Sequence, residues 1–467
     1  MLFNSIEYAL LLMTAFVGYW TLAGNQRFKN GFLLAVSYFF YASWNIKYLS
    51  LIFFSSAHDF AIGILMEKAR SNAQRRALLA ASVIVNLGIL SIFKYFNFFA
   101  SSFSQLFLLF GLKTDPVVLH LLLPVGISFY TFQTQSYTID VYRGRLKAQR
   151  NFFDYLLFVS FFPQLVAGPI VRASDLLPQL TSPPKLTAKD AGSAVFLIAI
   201  GLVKKVAIAD FLGAHLVDPV FSNPAMYSSL ETLAAVYGYA FQIYADFSAY
   251  SDIAIGSAAL LGFKIPVNFN APYTAANLRE FWQRWHISLS TWLRDYLYVP
   301  LGGSKKGLKR TYINLMLTML LGGLWHGAAL TFVFWGGIHG LALVVTRIYQ
   351  RFGFKQKLPR ALGVVLTFHV VCAAWVFFRS PDFAGAALIF KNLIAWDLGY
   401  ANLHLQVIIA LSMAFATHWV PVFAMESIKN RFLKLPPIAQ AASVVAAVTL
   451  AEQLAGTDVT PFIYFQF

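Results

Sequence analysis

Long apolar stretches separated by short polar ones set the pattern of this chain. The apolar runs include residues 6–24, 77–92, 194–206, 313–330, 361–378 and 438–454. About 20 apolar residues in a helix span the ~30 Å hydrocarbon core of a bilayer, and roughly eleven candidate runs are present, some short or merged. The pattern predicts an all-α integral membrane protein of roughly eleven transmembrane helices. No Pro/Gly/Ser-rich linker or low-complexity block divides the chain, so residues 1–467 read as a single membrane domain with a C-terminal tail at 456–467.

Residues 278–300, LREFWQRWHISLSTWLRDYLYVP, break the pattern. On a helical wheel Trp282, Trp285, Leu289, Trp292 and Tyr296 share an apolar face. Arg279, Glu280, Gln283, Arg284, Arg294 and Asp295 make the segment too charged to cross lipid. The expectation is an interfacial or re-entrant helix, with tryptophans at the headgroup boundary.

Composition supports the membrane reading. Hydrophobic residues make up 58% of the 467 and charged residues only 12%, too little polar surface for a water-soluble globule. The formal charge of +16 does not call for a nucleic-acid partner, because the basic residues sit in short loops between apolar runs. Residues 1–24 hold no Lys or Arg. Basic clusters then follow at Arg27 and Lys29, at Lys68, Arg70, Arg75 and Arg76, at Arg143–Arg150, at Lys305–Arg310, at 347–360 and at Lys429–Lys434. By the positive-inside rule these loops are cytoplasmic, and both chain ends are expected on the opposite face. The N-terminus lacks the basic segment of a signal peptide, so the first helix is expected to be retained. The single cysteine, Cys372, excludes an intramolecular disulfide and lies in an apolar run as a small core residue.

Candidate chemistry is sparse. His326 lies in LLGGLWHGAAL, an ionisable side chain at membrane depth flanked by Gly322, Gly323 and Gly327. Small residues allow close approach of a backbone or a thin substrate. On the residues alone, a general base and a hydrogen-bonded packing histidine are equally good readings. His286 sits beside the tryptophan face of the 278–300 segment. Asp246 and Asp252, in YADFSAYSDIAIG, are six apart and face away from each other on a helix, which suits a polar network better than an acid/base pair. The chain holds no glycine-rich phosphate loop, HExxH, CxxC or GxSxG motif, and no metal site is expected.

The tail ends TPFIYFQF. Its apolar residues must fold back onto something apolar. From residue 456 to Tyr464 an extended chain reaches about 27 Å, against a half-core thickness of about 15 Å. Tyr464 is therefore within reach of the depth of His326; an inert tail packed on the surface is the other reading.

Together the stretches LPVGISFYTFQTQSYTIDVYRG (123–144), FFPQLVAGPIVR (161–172), YADFSAYSDIAIG (244–256), EFWQRWHISLSTWLRDYLYVPLGG (280–303) and MLLGGLWHGAAL (319–330) resemble the membrane-bound O-acyltransferase family. Within it they resemble the bacterial branch typified by alginate O-acetyltransferase. The resemblance implies a ring of tilted helices around a funnel that thins the bilayer, with the acyl donor entering from the cytoplasm. It implies that His326 is the catalytic histidine and that His286 lines the same channel. Trp325, Trp285, Arg284, Asp246 and Asp252 are further candidates for that lining. The terminal FIYFQF looks like a short motif of polysaccharide-modifying relatives, carried in the teichoic acid D-alanylation system on a separate small membrane peptide, and implies an acyl-carrying Tyr464. The expected donor is acetyl-CoA, with no metal. The expected partners are a periplasmic SGNH-type acetyltransferase or other polysaccharide-modifying protein, membrane lipid, and an exported polysaccharide (alginate, cellulose or peptidoglycan) as final acceptor. The expected location is a bacterial inner membrane. A non-catalytic translocator or a structural subunit of a polysaccharide-export complex is the alternative; a translocator would need neither a tyrosine at the chain terminus nor the paired histidine motifs, and a structural subunit would tolerate loss of His326.

Overall fold

The computed structural model describes residues 1–22, 24–166, 168–352, 358–456 and 460–463. Among them every regular element is helical. Among the described residues four helices are long and apolar enough to cross a membrane: Ile46–Lys68, Asn72–Leu109, Leu330–Phe352 and Arg360–Arg379. A fifth span results if Leu405–Trp419 and Phe423–Leu433, bent by 97°, act together. Large apolar side chains such as Ile84, Phe103, Leu109, Val365 and Ile438 point outward, as a lipid-facing surface requires. The protein is thus a multi-pass, all-helical membrane protein.

The count falls short of roughly eleven for physical reasons. Helices in the middle of the bundle touch protein on all sides and need no lipid-compatible face. Ile127–Tyr142 buries Ser128, Thr131, Gln133, Thr134, Gln135, Ser136, Thr138 and Asp140, so its polarity hides it from a hydropathy reading. The 32-residue helix Ser229–Leu260 is long enough but carries Asp246 and Asp252. Ile6–Thr21 and Phe383–Ile394 have 16 and 12 residues, short for a full span. The run at 194–206 is broken where Ala188–Val203 gives way to a π-helical stretch, Lys204–Asp210. A second π-helical stretch, Ser91–Tyr95, interrupts the long helix that holds Lys94. Such wide turns inside α-helices concentrate at functional sites.

The 278–300 segment departs from the expected continuous helix. It forms Leu278–Arg284 and Ile287–Leu293, followed by π-helical Arg294–Tyr298. The corner between the first two is His286 in the left-handed region, φ 41° and ψ 56°. Asn277 caps the first helix by accepting from the Glu280 N–H. The face expected at the headgroups is turned into the bundle, where Trp285, Leu289, Trp292 and Tyr296 are buried. Trp292 stacks on Phe132 at 3.7 Å and donates its ring N–H to the Phe132 carbonyl at 2.9 Å. Protein therefore supplies the apolar contact and the acceptor that the lipid boundary was expected to supply.

Buried side chains fall into two hydrophobic clusters. One combines residues up to Leu180 with the second half of Ser229–Leu260, Trp292 and Trp325. The other is built from 208–245, Trp285, Trp335 and the helices after Arg360. Phe462 belongs to the first and Ile463 to the second, so the tail enters the seam between them.

Candidate active site

His326 is the last residue of helix Leu308–His326 and is 4% exposed. Leu330–Phe352 folds back against that helix as a hairpin. The glycines make the close approach possible. A Cβ on Gly323 would overlap the Phe332 carbonyl, one on Gly336 the Met319 carbonyl, and one on Gly327 the Phe332 ring. The small residues around His326 thus admit the neighbouring backbone, and the hairpin fixes the imidazole among Trp325, Trp335 and Phe378 at ring distances of 5.0, 5.1 and 5.5 Å.

The end of that helix meets a lysine. Lys94 donates from Nζ to the carbonyls of Trp325 and His326 at 2.8 and 3.0 Å. These are carbonyls the helix leaves without intrahelical partners, and the lysine supplies their missing donor. Lys94 was not singled out from the sequence; a lysine inside an otherwise apolar run is the signal that marks it.

His286 is fully buried. Its Nδ1–H donates to Asn268 Oδ1 at 3.2 Å, the same oxygen that accepts the Ser288 N–H at 3.1 Å and the Ser288 hydroxyl at 2.9 Å. That bond leaves Nε2 as the basic nitrogen, and among the described residues Nε2 has no hydrogen-bond partner. The left-handed corner and Asn268 together aim the ring. Trp325 lies between the two histidines, 6.2 Å from His286 and 5.0 Å from His326. The structure thus groups His326, His286 and Trp325.

The other candidates lie outside this group of three. Trp285 packs among Phe281, Phe269 and Trp375 in the second cluster. Arg284 pairs with Glu280 at 2.9 Å and donates to the Asn270 carbonyl at 3.2 Å. Burial opposes ionisation of Glu280, but the Ala276 N–H and the Arg360 guanidinium still hold its carboxyl below the usual range. Asp252 pairs with Lys204 at 2.5 Å and Asp246 with Lys205 at 2.7 Å. Two neighbouring lysines in the π-helical stretch therefore answer two aspartates six residues apart. Tyr464 lies outside the described residues. Among those described, no group of three or more His, Cys, Asp or Glu side chains could hold a metal ion.

Two cavities flank the histidine helix. At its basic end a cavity of ≈ 420 Å³ is lined by Arg279, Arg294, Arg347, Trp282 and Met319, among others. Trp282 lies 5.9 Å from Trp335, which touches His326. At the other end a cavity of ≈ 70 Å³ is bounded by Lys94, Gly126, Phe129, Trp325 and His326. His326 lines the small space, and the arginine-lined vestibule lies beyond Trp335 and Trp282.

The sequence pattern of the membrane-bound O-acyltransferase family matches residues 143–380. A peptidoglycan O-acetyltransferase of Helicobacter pylori is 38% identical over 438 residues, covering 87% of this chain and 82% of its own. A probable alginate O-acetylase of Pseudomonas aeruginosa is 41% identical over 413 residues, covering 86% and 77%. A teichoic acid D-alanyltransferase of Bacillus subtilis is 30% identical over 276 residues, covering 56% and 69%. The chain belongs to the membrane-bound O-acyltransferase family. It is an acyltransferase, and the histidine pair lies in the matched region.

Proposed function

We propose that the protein takes acetyl from cytoplasmic acetyl-CoA and passes it across a bacterial inner membrane, for O-acetylation of an exported polysaccharide of the alginate or peptidoglycan kind. The observation that carries the reading is the position of His326, buried on the wall of the small cavity with the arginine-lined vestibule beyond Trp335 and Trp282. Arg279, Arg294 and Arg347 suit the phosphates of a thioester donor, since guanidinium is well matched to phosphate oxygens. The two closely similar relatives, named for acetyl transfer to peptidoglycan and to alginate, support acetyl as the group moved.

In this mechanism His326 accepts the phenolic proton of Tyr464, whose ordinary pKa is about 10. The phenolate attacks the thioester carbonyl, the C–S bond breaks, and the imidazolium returns its proton to the departing thiolate. The tyrosyl acetate has a better leaving group than a sugar ester, so transfer to a serine or sugar hydroxyl on the far side runs downhill. A periplasmic transferase of the SGNH type completes delivery. His286, through Nε2, helps orient the donor. The basic loops face the cytoplasm and both chain ends the periplasm.

The test is acetyl transfer from labelled acetyl-CoA by purified protein in proteoliposomes, with peptide mass spectrometry of residues 435–467. Label on Tyr464 that disappears in Tyr464→Phe and in His326→Ala is expected. Full transfer by Tyr464→Phe, with no label on the terminal peptide, would overturn the relay.

A further inference from the structure

Lys205 is 1% exposed and carries two carboxylates, Asp210 Oδ1 and Asp246 Oδ1, each at 2.7 Å. The π-helical turn places Lys205 and Asp210 five residues apart on one side. A buried cluster of one ammonium and two carboxylates is short of donors, and desolvated carboxylates demand them. Residues 460–463 supply them. The Ile463 N–H donates to Asp246 Oδ2 at 2.8 Å, and the Thr460 hydroxyl donates to Asp210. Lys205 Nζ reaches Thr460 Oγ1 and the Pro461 carbonyl at 3.4 Å each, and lies 4.6 Å over the Phe462 ring. Every residue from 460 to 463 touches the triad. Phe462 also meets Tyr250 edge-on at 4.5 Å.

A tail that needed only to hide apolar side chains would pack on aliphatic surface. This one is bonded to three buried charges, through its backbone to Lys205 and Asp246 and through the Thr460 hydroxyl to Asp210. The anchor is also close to the histidines: Phe247, next to Asp246, lies 4.6 Å from the His286 ring, which lies 6.2 Å from Trp325.

We propose that Lys205, Asp210 and Asp246 form a docking clamp that seats residues 460–463 and sets the register of the tyrosine that follows. They are positioning residues. The role given to that tyrosine rests on the acyl-tyrosine reading above; the clamp itself does not. The clamp should act on the rate at which the terminal peptide is acetylated and leave donor binding alone.

The test uses the full chain in proteoliposomes, with Cys372→Ala and Ile463→Cys as parent; Ile463 contributes its backbone N–H to the clamp, so the side chain can change. The thiol introduced by Ile463→Cys should resist a membrane-permeant maleimide in the parent and react in Lys205→Met and in Thr460→Val. Thr460→Val keeps the shape and leaves the ion triad in place, so it remains informative if Lys205→Met does not fold. Each variant should lower terminal-peptide acetylation by about tenfold, the effect of one charge-assisted hydrogen bond, with KM for acetyl-CoA unchanged. Lys205→Arg should recover part of the rate. A protected Ile463→Cys thiol and unaltered rates in Thr460→Val and a folded Lys205→Met would overturn the clamp. A cysteine exposed on loss of Lys205, with no label ever found on the terminal peptide of the parent, would keep the clamp and remove the relay.

Discussion

Gly322 and Gly323 are neighbours that should respond in opposite ways to the same added methyl. A Cβ on Gly322 would lie 3.3 Å from Leu293 Cδ1, the movable end of a flexible side chain. One on Gly323 would overlap the backbone carbonyl of Phe332 on the facing helix. Carbon and oxygen settle at about 3.5 Å, so Gly323→Ala must part the hairpin by roughly 1 Å. Overpacking of that kind costs about 1–3 kcal/mol, and better helix propensity returns about 1 kcal/mol. The net loss of stability is therefore roughly 0–2 kcal/mol, and the larger effect falls on chemistry. His326 is three residues beyond Gly323, and Trp335, on the other arm of the hairpin, braces its ring at 5.1 Å. Misplacing a reacting group by about 1 Å costs on the order of 100-fold in rate. Gly323→Ala should thus lose about two decades of acetyl transfer while the protein remains extractable and monodisperse. Gly322→Ala should stay within about threefold of the parent and gain up to ~1 kcal/mol of thermal stability. Initial rates in proteoliposomes and thermal unfolding in detergent check both. Equal rates for the two variants would refute the claim that backbone contact in this hairpin positions His326.

Other expectations follow from the site. His326→Ala should lower transfer by at least 10²–10⁴, the range for loss of a general base, with unchanged membrane insertion; wild-type turnover in a folded variant would remove His326 from the reaction. Asn268→Leu should free the His286 ring and raise KM for the donor more than it lowers kcat, because Asn268 holds both His286 and Ser288; steady-state kinetics read the split. Lys94→Met strips two carbonyls of their donor and should cost about 1.5–3 kcal/mol per bond before relaxation, seen as a lower unfolding midpoint together with slower transfer. Cysteines introduced near Arg75, Lys306 and Arg351 should be labelled only from the cytoplasmic face; labelling from the other face would reverse the proposed topology.

The outer parts of this protein were easier to read from its sequence than the inner ones. Helices such as Arg360–Arg379 meet lipid along one side, so hydropathy marks them. Ile127–Tyr142 meets only protein, and its hydroxyls and amides carry no span-like signal. The grouping of His326 and His286 followed from motif resemblance; periodicity could not bring together side chains 40 positions apart. The corner at His286 was invisible because a non-glycine residue at φ 41° is enforced by tertiary contacts and has no local sequence signature. Lys204 and Lys205 were absorbed into an apolar run, although paired cations there announce buried partners. Asn268 had no readable mark, since its role comes from where the chain folds back.

The seating of residues 460–463 between the two hydrophobic clusters has a consequence for biogenesis. Every residue on either wall of that seam below position 460 leaves the ribosome before the segment that fills it. The bundle must therefore be inserted while the seam still exposes Lys205, Asp210 and Asp246 without their late donors. Maturation then takes the form of a closing step, in which a nascent, hydrated crevice becomes sealed as the wedge arrives. A ribosome stalled before codon 460 would leave a membrane protein with most of its helices in place and a wet fault line through its middle, a shape that quality-control proteases can recognise.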